Sequence, residues 1–450
     1  MISTRRYTQD APITGEAEVI VVGGGPAGIA AAIAAARNGA STLLLDRYGF
    51  LGGMATAGLV GPFMTCYDIE GNEPIIEGVF KELVDRLVRM GAAIDPAGVK
   101  GSGPFGGFHV YGHEHVTPFD PEALKIVAQE MVLEAGGELK LHTLFVDSLV
   151  DHGHITGIVV AGKAGLEVLQ GQILIDATGD GDVAARAGAP FEKGRKDGMM
   201  QPASLFFRVG NVDDAAVQAY VDSHPDDMDM RRIVERAKSE GFSHTKDHLT
   251  LFRTPRPGEW WINVSRIHHV DATNPQDMTR AEIEGRRQVV YLMEFLREWA
   301  PGFSDSYLLD TGSQVGVRET RHILGDYVLT ADDVFSARRF EDAIARVSFP
   351  IDIHDVQSGG GFFQGPREGP YYTIPYRSLA PRTIENLLLA GRCISASHEA
   401  HGSLRVMPPC FAMGQAAGSA AALAIETNVS PRHVDVQLLR QTLEDQGALV

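Results

Sequence analysis

Glu18 to Val22 (EVIVV) form a short apolar run, the pattern of a strand buried on both faces. Gly23 to Gly28 break it, and Ala27 to Asn38, almost all alanine and isoleucine, predict a helix of small side chains that Gly39 stops. Ser41 to Asp46 (STLLLD) predict a second strand, giving a βαβ unit early in the chain. Further on, apolar residues at Ile76, Val79, Phe80, Leu83, Leu87 and Met90 recur at helical spacing, so a helix is expected over Ile76 to Met90. Gly91 to Gly112 read as loop. Asp120 and Pro121 suit the cap and first position of a helix that runs to about Glu134 and ends at Gly136-Gly137.

From Glu138 to Asp176 the spacing shortens to alternating runs split by Asp151-His152-Gly153 and Gly162-Lys163-Ala164-Gly165, which predicts a β-meander. The apolar run Ile173 to Ala177 closes it, followed by Thr178-Gly179-Asp180-Gly181. Beyond about Gln201 the chain mixes a strand (Glu259 to Val264), an amphipathic helix (Gly285 to Trp299) and a glycine-rich loop (Gly359 to Gly365). Asn386 to Ala390 predict one more buried strand, and Cys410 to Ile425 a helix rich in Gly and Ala. The expected fold class is α/β. A Rossmann-like unit of parallel sheet, helices and meander is assembled from 15–66, 119–200 and 385–450, and an inserted α+β substrate or cap unit from 67–118 and 201–384. No internal repeat interrupts this.

Composition narrows the picture. The chain has 450 residues, 44% hydrophobic and 22% charged, which is ordinary for a globular protein. Its net charge of -18 argues against nucleic acid as a partner, since phosphate binding needs a basic patch. Cys66, Cys393 and Cys410 form no C-x-x-C pair and suit a reducing compartment. Arg5-Arg6 lack the apolar run of an export signal, and no stretch approaches the roughly 18 apolar residues of a membrane helix. A cytoplasmic protein without a membrane span is expected.

Gly23-Gly24-Gly25-Pro26-Ala27-Gly28 satisfies G-x-G-x-x-G between strand and helix, the context that the motif requires. Gly23 permits the tight turn, Gly25 the approach of a pyrophosphate, and Gly28 close helix–strand packing. The phosphates then meet the free N–H groups and positive end of the helix at Ala27. Asp46 ends the next strand, where its carboxylate can accept ribose hydroxyls and repel a 2′-phosphate. The bland alternative is a tight turn with a solvent-facing Asp46.

Gly23 to Gly28, Asp46, Gly52-Gly53-Met54 and Ile175 to Asp180 together resemble the superfamily of FAD-dependent oxidoreductases that includes fumarate reductase flavoproteins and glutathione reductase. Asn386 to Gly418 (NLLLAGRCISASHEAHGSLRVMPPCFAMGQAAG) and Gly316 to Gly325 (GVRETRHILG) resemble a bacterial branch of it. The resemblance implies a Rossmann-like FAD-binding domain, with FAD as cofactor. It implies cofactor contacts at Gly23, Gly25, Pro26, Ala27, Gly28, Asp46, Arg47, Gly52, Gly53 and Met54. A second group is Phe145, Ala177, Thr178, Gly179, Asp180, Gly391 and Arg392. Met413, Gln415 and Ala416 are expected to begin or line a helix whose positive end stabilises reduced flavin.

For the reacting group, Arg318 and Arg321 can hold a carboxylate or polar substrate bidentately, against the alternative of an ion pair within a sheet. On a strand, Arg318, Thr320 and His322 would share one face and Glu319 and Arg321 the other. His398 or His401 can serve as general base, and Arg405 can stabilise negative charge; loop histidines bonded to backbone are the alternative. His109, Tyr111, His113 and His115 (HVYGHEH) lack the helical spacing of a zinc site, so no metal is expected. Cys66 is expected to be a buried neutral thiol.

These readings converge on an FAD-dependent oxidoreductase acting on a small polar organic substrate by hydride transfer at flavin N5. The alternatives are a redox-neutral flavoenzyme, an NAD-dependent dehydrogenase and a non-catalytic FAD-binding protein. No second strand-associated G-x-G-x-x-G is visible, which suggests that electrons pass to or from oxygen, a quinone or another carrier. The acceptor or donor and homo-oligomerisation stay open.

Overall fold

The computed structural model describes residues 8–99, 115–242, 246–354 and 361–450. At its centre is a sheet of seven strands among the described residues. Strand β1 (Ile13–Val22) lies between two parallel neighbours, β2 (Thr42–Leu45) and the end of a strand that arrives much later in the chain. Helix α1 (Pro26–Arg37) connects β1 to β2, and its residues from Ala27 to Ala35 are buried. The βαβ unit read from the apolar pattern is therefore present.

Strand β3 (Glu138–Lys140) pairs parallel with β2. It had been expected in the meander. It is too short and polar to reveal its partner, and the preceding helix α3 (Pro121–Glu134) returns the chain to the edge of β2 instead. The meander proper is β4 (Leu144–Asp151), β5 (His154–Gly162) and β6 (Gly165–Asp176), paired antiparallel. Strand β6 serves two regimes. Leu166 to Leu169 pair antiparallel with β5, while Ile173 to Asp176 pair parallel with Val19 to Val22 of β1, and Leu174 to Asp176 pair on the other side with Leu387–Leu389. The strand expected over Asn386 to Ala390 thus completes the parallel sheet.

The Met407–Thr427 helix packs along α1. Its Gly414 and Gly418 are required by that contact: a Cβ would lie 2.0 Å from Ala27 O at one and 2.1 Å from Ala31 O at the other. The helix begins earlier than the expected Cys410. Pro408 and Pro409 occupy its first turn, where a missing N–H costs nothing.

A second core surrounds a four-stranded antiparallel sheet in the order Tyr307–Thr311, Phe207–Gly210, Trp260–Ile262, Leu251–Arg253. Leu205, Phe207, Trp260, Ile262, Leu292, Phe295 and Phe303 fill it, the Pro275–Trp299 helix covering one side. This helix starts ten residues before the expected Gly285, capped by Asn274. The apolar residues of this core fall between Ala203 and Val317. Those of 323–384, such as Ile323, Val347, Ile351 and Tyr372, pack in the first core, as do Val79, Phe80 and Leu83 of helix α2 (Val79–Arg89). Part of the expected glycine-rich loop is a strand, Gly361–Gln364, paired with Ile351–His354. Among the described residues no helix is long and apolar enough to cross a membrane.

Candidate active site

Tight glycine packing builds one end of a cavity between the two cores. Gly23 has φ +104°, and a Cβ there would meet Ala177 O at 2.5 Å; one on Gly28 would meet Gly23 O at 1.7 Å. Strand β1, α1 and the turn after β6 can approach this closely only without side chains. Gly25 caps α1 with no side-chain hydrogen bond, so the helix N-terminus keeps donors for a ligand. Gly52 N donates to Gly24 O at 2.8 Å, and a Cβ on Gly53 would lie 2.8 Å from Gly25 Cα, so the second glycine loop sits on the first.

The cavity is lined here by Gly23, Gly25, Pro26, Ala27, Asp46, Arg47, Gly53 and Met54, and further along by Phe145, Ala177 to Asp180, Gly391 and Arg392. Asp46 accepts from Gly24 N at 2.6 Å and Tyr48 N at 2.7 Å. Burial pushes its carboxyl up against the pull of those N–H groups. Arg392 donates to Asp180 Oδ1 at 2.7 Å and to Thr320 Oγ1 at 3.1 Å, pinning three distant segments together. Gly28 and Gly52 act from behind this wall.

The expected helix end needs correction. Met413, Gln415 and Ala416 lie about two turns inside the Met407–Thr427 helix, and Gln415 Oε1 accepts from Val79 N at 3.0 Å. None of the three lines the cavity; Val406, Met407 and Cys410 do. The positive end of the helix therefore meets the cavity at Val406–Met407.

The cavity is also lined by Phe206, Phe252, Asn263, Arg318, Phe349, Asp352, His354 and Arg405, while Gln314 reaches back to accept from Arg47 and Tyr48. Arg318 Nη1 donates to Pro202 O at 2.7 Å and Ser204 Oγ at 2.8 Å. Arg405 Nη2 donates to Asp352 O at 3.2 Å and lies 3.3 Å from Asp352 Oδ2, which is 3.4 Å from His354 Nε2. Burial raises the Asp352 carboxyl, but His354, Arg405 and Arg318 outweigh it and hold it well below the usual range. Burial drives His354 far below its ordinary value against the pull of Asp352. Sequence reasoning missed this pair. The available signal was alternation: on the Ile351–His354 strand, Asp352 and His354 share a face.

Three expected reacting residues stand elsewhere. Arg321 Nη1 donates to Asp180 O and Asp182 Oδ1, both at 2.8 Å, and its guanidinium covers the Phe191 ring. Only Arg321–Ile323 forms a strand, so the expected alternation from Arg318 does not apply. His398 Nδ1 lies 2.6 Å from Glu319 Oε1, and His322 Nε2 lies 3.1 Å from the same oxygen. Glu319 Oε2 accepts from Gln201 N at 3.0 Å. Burial raises the Glu319 carboxyl, but the His322 and His398 bonds prevail and keep it strongly acidic. His401 bonds Arg392 O at 3.0 Å through Nε2 and stacks on His322. Burial drives its imidazole well below the ordinary value, as it does that of His354, so position and not basicity separates the two. Neither His398 nor His401 lines the cavity.

No metal was expected. One ligand atom each from Glu319, His322 and His401 nevertheless lies within 4.8 Å of the others. Of the HVYGHEH segment, His109, Tyr111 and His113 lie outside the described residues; His115 bonds Pro96 O at 2.7 Å and stacks on Tyr67. Burial pushes the Cys66 thiol up to about 12, in keeping with a neutral thiol.

The family model for "FAD dependent oxidoreductase" matches residues 18–443. A ferredoxin–NADP reductase of Saccharopolyspora erythraea is 40% identical over 85 residues, 19% of this chain and 24% of that one. A thiamine thiazole synthase of Aeropyrum pernix is 29% identical over 180 residues, 38% of this chain and 57% of that one. The chain thus spans well under two thirds of either curated relative. Among solved structures, a p-nitrophenol 4-monooxygenase of Pseudomonas putida superposes with a TM-score of 0.51 at 12% identity, covering 97% of this chain and 85% of that one. At that identity the likeness shows a common fold.

Proposed function

The chain belongs to the FAD dependent oxidoreductase family, and from that premise we propose that it moves hydride between FAD and a small polar organic substrate held by Arg318 and Arg405. The observation that carries this reading is the continuity of the cavity. The space walled by Gly23, Gly25 and Asp46 is also walled by Arg318, Asp352, His354 and Arg405. The residues present fit FAD: glycines where a Cβ would collide, an uncapped helix start and a carboxylate at the end of β2. When bound, FAD supplies a two-electron carrier that takes or gives hydride at N5.

The chain's own residues supply the rest. Phe206, Phe252 and Phe349 exclude water from the polar end, and Arg318 and Arg405 orient the substrate. As the substrate carbon loses hydride, its adjoining O–H or N–H loses a proton, which His354 accepts at Nδ1 while Nε2 faces Asp352. The Asp352 carboxylate stabilises the imidazolium that forms. In the reverse direction the same ring returns the proton.

The test is anaerobic. The flavin absorbance of the purified holoprotein is followed while polar substrates are added, with peroxide and dye reduction read in parallel. Bleaching by a substrate is expected. Arg318→Ala, Arg405→Ala and His354→Gln should retain FAD and reduce it at least about a hundredfold more slowly. Product formation without any bleaching would favour a redox-neutral flavoenzyme, and wild-type bleaching in all three variants would refute the site.

A further inference from the structure

We propose that the polar end of the cavity is a carboxylate site, so that the substrate is the anion of an organic acid. This rests on the reading above for the place of the flavin, and it adds the chemical class of what lies beside it.

Three guanidinium groups, Arg318, Arg405 and Arg266, share one cavity-lining carboxylate, Asp352, while Asp247 acts through space on Arg266 and Glu319 on Arg405. Arg318 is 8% exposed and donates to neutral partners, the Pro202 carbonyl and the Ser204 hydroxyl. Arg405 meets Asp352, yet its Nε is buried without a partner. Arg266, 5% exposed, stands behind them with Nη1 buried and unpartnered. Asp352, the shared counter-charge, is also engaged by His354. Burial, with Arg266 and Arg318 nearby, drives the Lys246 amine well below its ordinary value while it donates to Thr250 Oγ1 and Asn263 O, both at 2.8 Å.

An amine can answer such crowding by losing a proton; a guanidinium does not. Arg318 has no carboxylate partner and Arg405 shares Asp352 with His354, so positive charge is left under-compensated in a buried space, which is costly unless an anion enters. A carboxylate fits the planar donor forks of Arg318 and Arg405. Phe206, Phe252 and Phe349 on the same walls suit a carbon skeleton rather than a free inorganic anion.

The experiment titrates the holoprotein with acetate, succinate and benzoate and follows the flavin difference spectrum. Acetamide, succinamide and benzamide serve as neutral counterparts, and inorganic phosphate as a non-carboxylate anion. At least one carboxylate should perturb the spectrum saturably while its amide does not. Arg318→Gln and Arg405→Gln, at unchanged FAD content, should weaken that binding at least about tenfold. Arg318→Lys keeps the charge without the fork, and should bind between wild type and Arg318→Gln; it supplies the readout if the glutamine variant loses FAD. The proposal is overturned if no carboxylate perturbs the flavin, if amides bind equally, if the glutamine variants bind as wild type, or if phosphate alone shows the arginine dependence. Carboxylate binding without anaerobic bleaching by any substrate would sink hydride transfer and leave the carboxylate site standing.

Discussion

Replacing Gly414 by alanine tests whether the seam between α1 and the Met407–Thr427 helix sets the dinucleotide loop. The new Cβ would lie 2.0 Å from Ala27 O, 2.8 Å from Ala27 C and 2.9 Å from Ala27 Cα. All three are backbone atoms, so no side chain can swing aside. Carbon contacts relax near 3.5 Å, so the helices must part by more than about 1 Å. Overpacking of this kind costs about 1–3 kcal/mol, and alanine's better helix propensity returns about 1 kcal/mol. A net loss of up to about 2 kcal/mol is expected, read by urea unfolding of the apoprotein. The functional effect should be larger than the stability loss suggests, because Ala27 lines the cofactor cavity at the start of α1. Gly418→Ala is the internal control. Its Cβ would meet Ala31 O at 2.1 Å, one turn further along. Both variants should lose similar stability, with FAD affinity falling more in Gly414→Ala. Wild-type stability and FAD affinity in Gly414→Ala would refute the steric argument, and equal FAD losses in both would refute its link to the loop.

Asp176 is wholly buried, and desolvation raises its carboxyl from 3.8 to about 6 despite bonds from Ala184 N, Thr178 Oγ1 and Thr178 N. Its folded value exceeds its unfolded value, so its stabilising share is full below pH 3.8 and is lost as pH rises to about 6, a change of about 3 kcal/mol. Asp176→Asn should remove that part of the slope, and identical wild-type and variant slopes in urea unfolding between pH 4 and 7 would contradict it. The thiols of Cys66 and Cys410 are both pushed by burial up to about 12. At pH 8 neither should react with a disulfide reagent in the folded protein; fast native labelling would show the burial to be wrong.

The part of the site legible in the sequence is the part made by local chemistry. Gly23 to Gly28 and Asp46 announce themselves because backbone approach and a strand-end carboxylate require those residue types at that spacing. The reacting end is built differently. His398 looks like a free base until Glu319, 79 positions earlier in the chain, is brought to its ring. Asp352 and His354 sit on a strand of four residues, too short for alternation to stand out. The Met407–Thr427 helix starts before the Gly/Ala-rich run that announces it, because Pro408 and Pro409 fit a first turn that composition does not mark. Strand β3 joined the parallel sheet through a partner that its own three residues could not specify.

The central sheet has a consequence for biosynthesis. Leu387–Leu389 completes it beside β6, and the Met407–Thr427 helix covers α1. A nascent chain emerging from the ribosome has made the whole glycine loop long before either arrives. Until then the edge of β6 is open to stray pairing, and the alanine face of α1 is bare. Cofactor loading is therefore a late, almost post-translational event, and the interval before it is when the unfinished polypeptide most needs a chaperone.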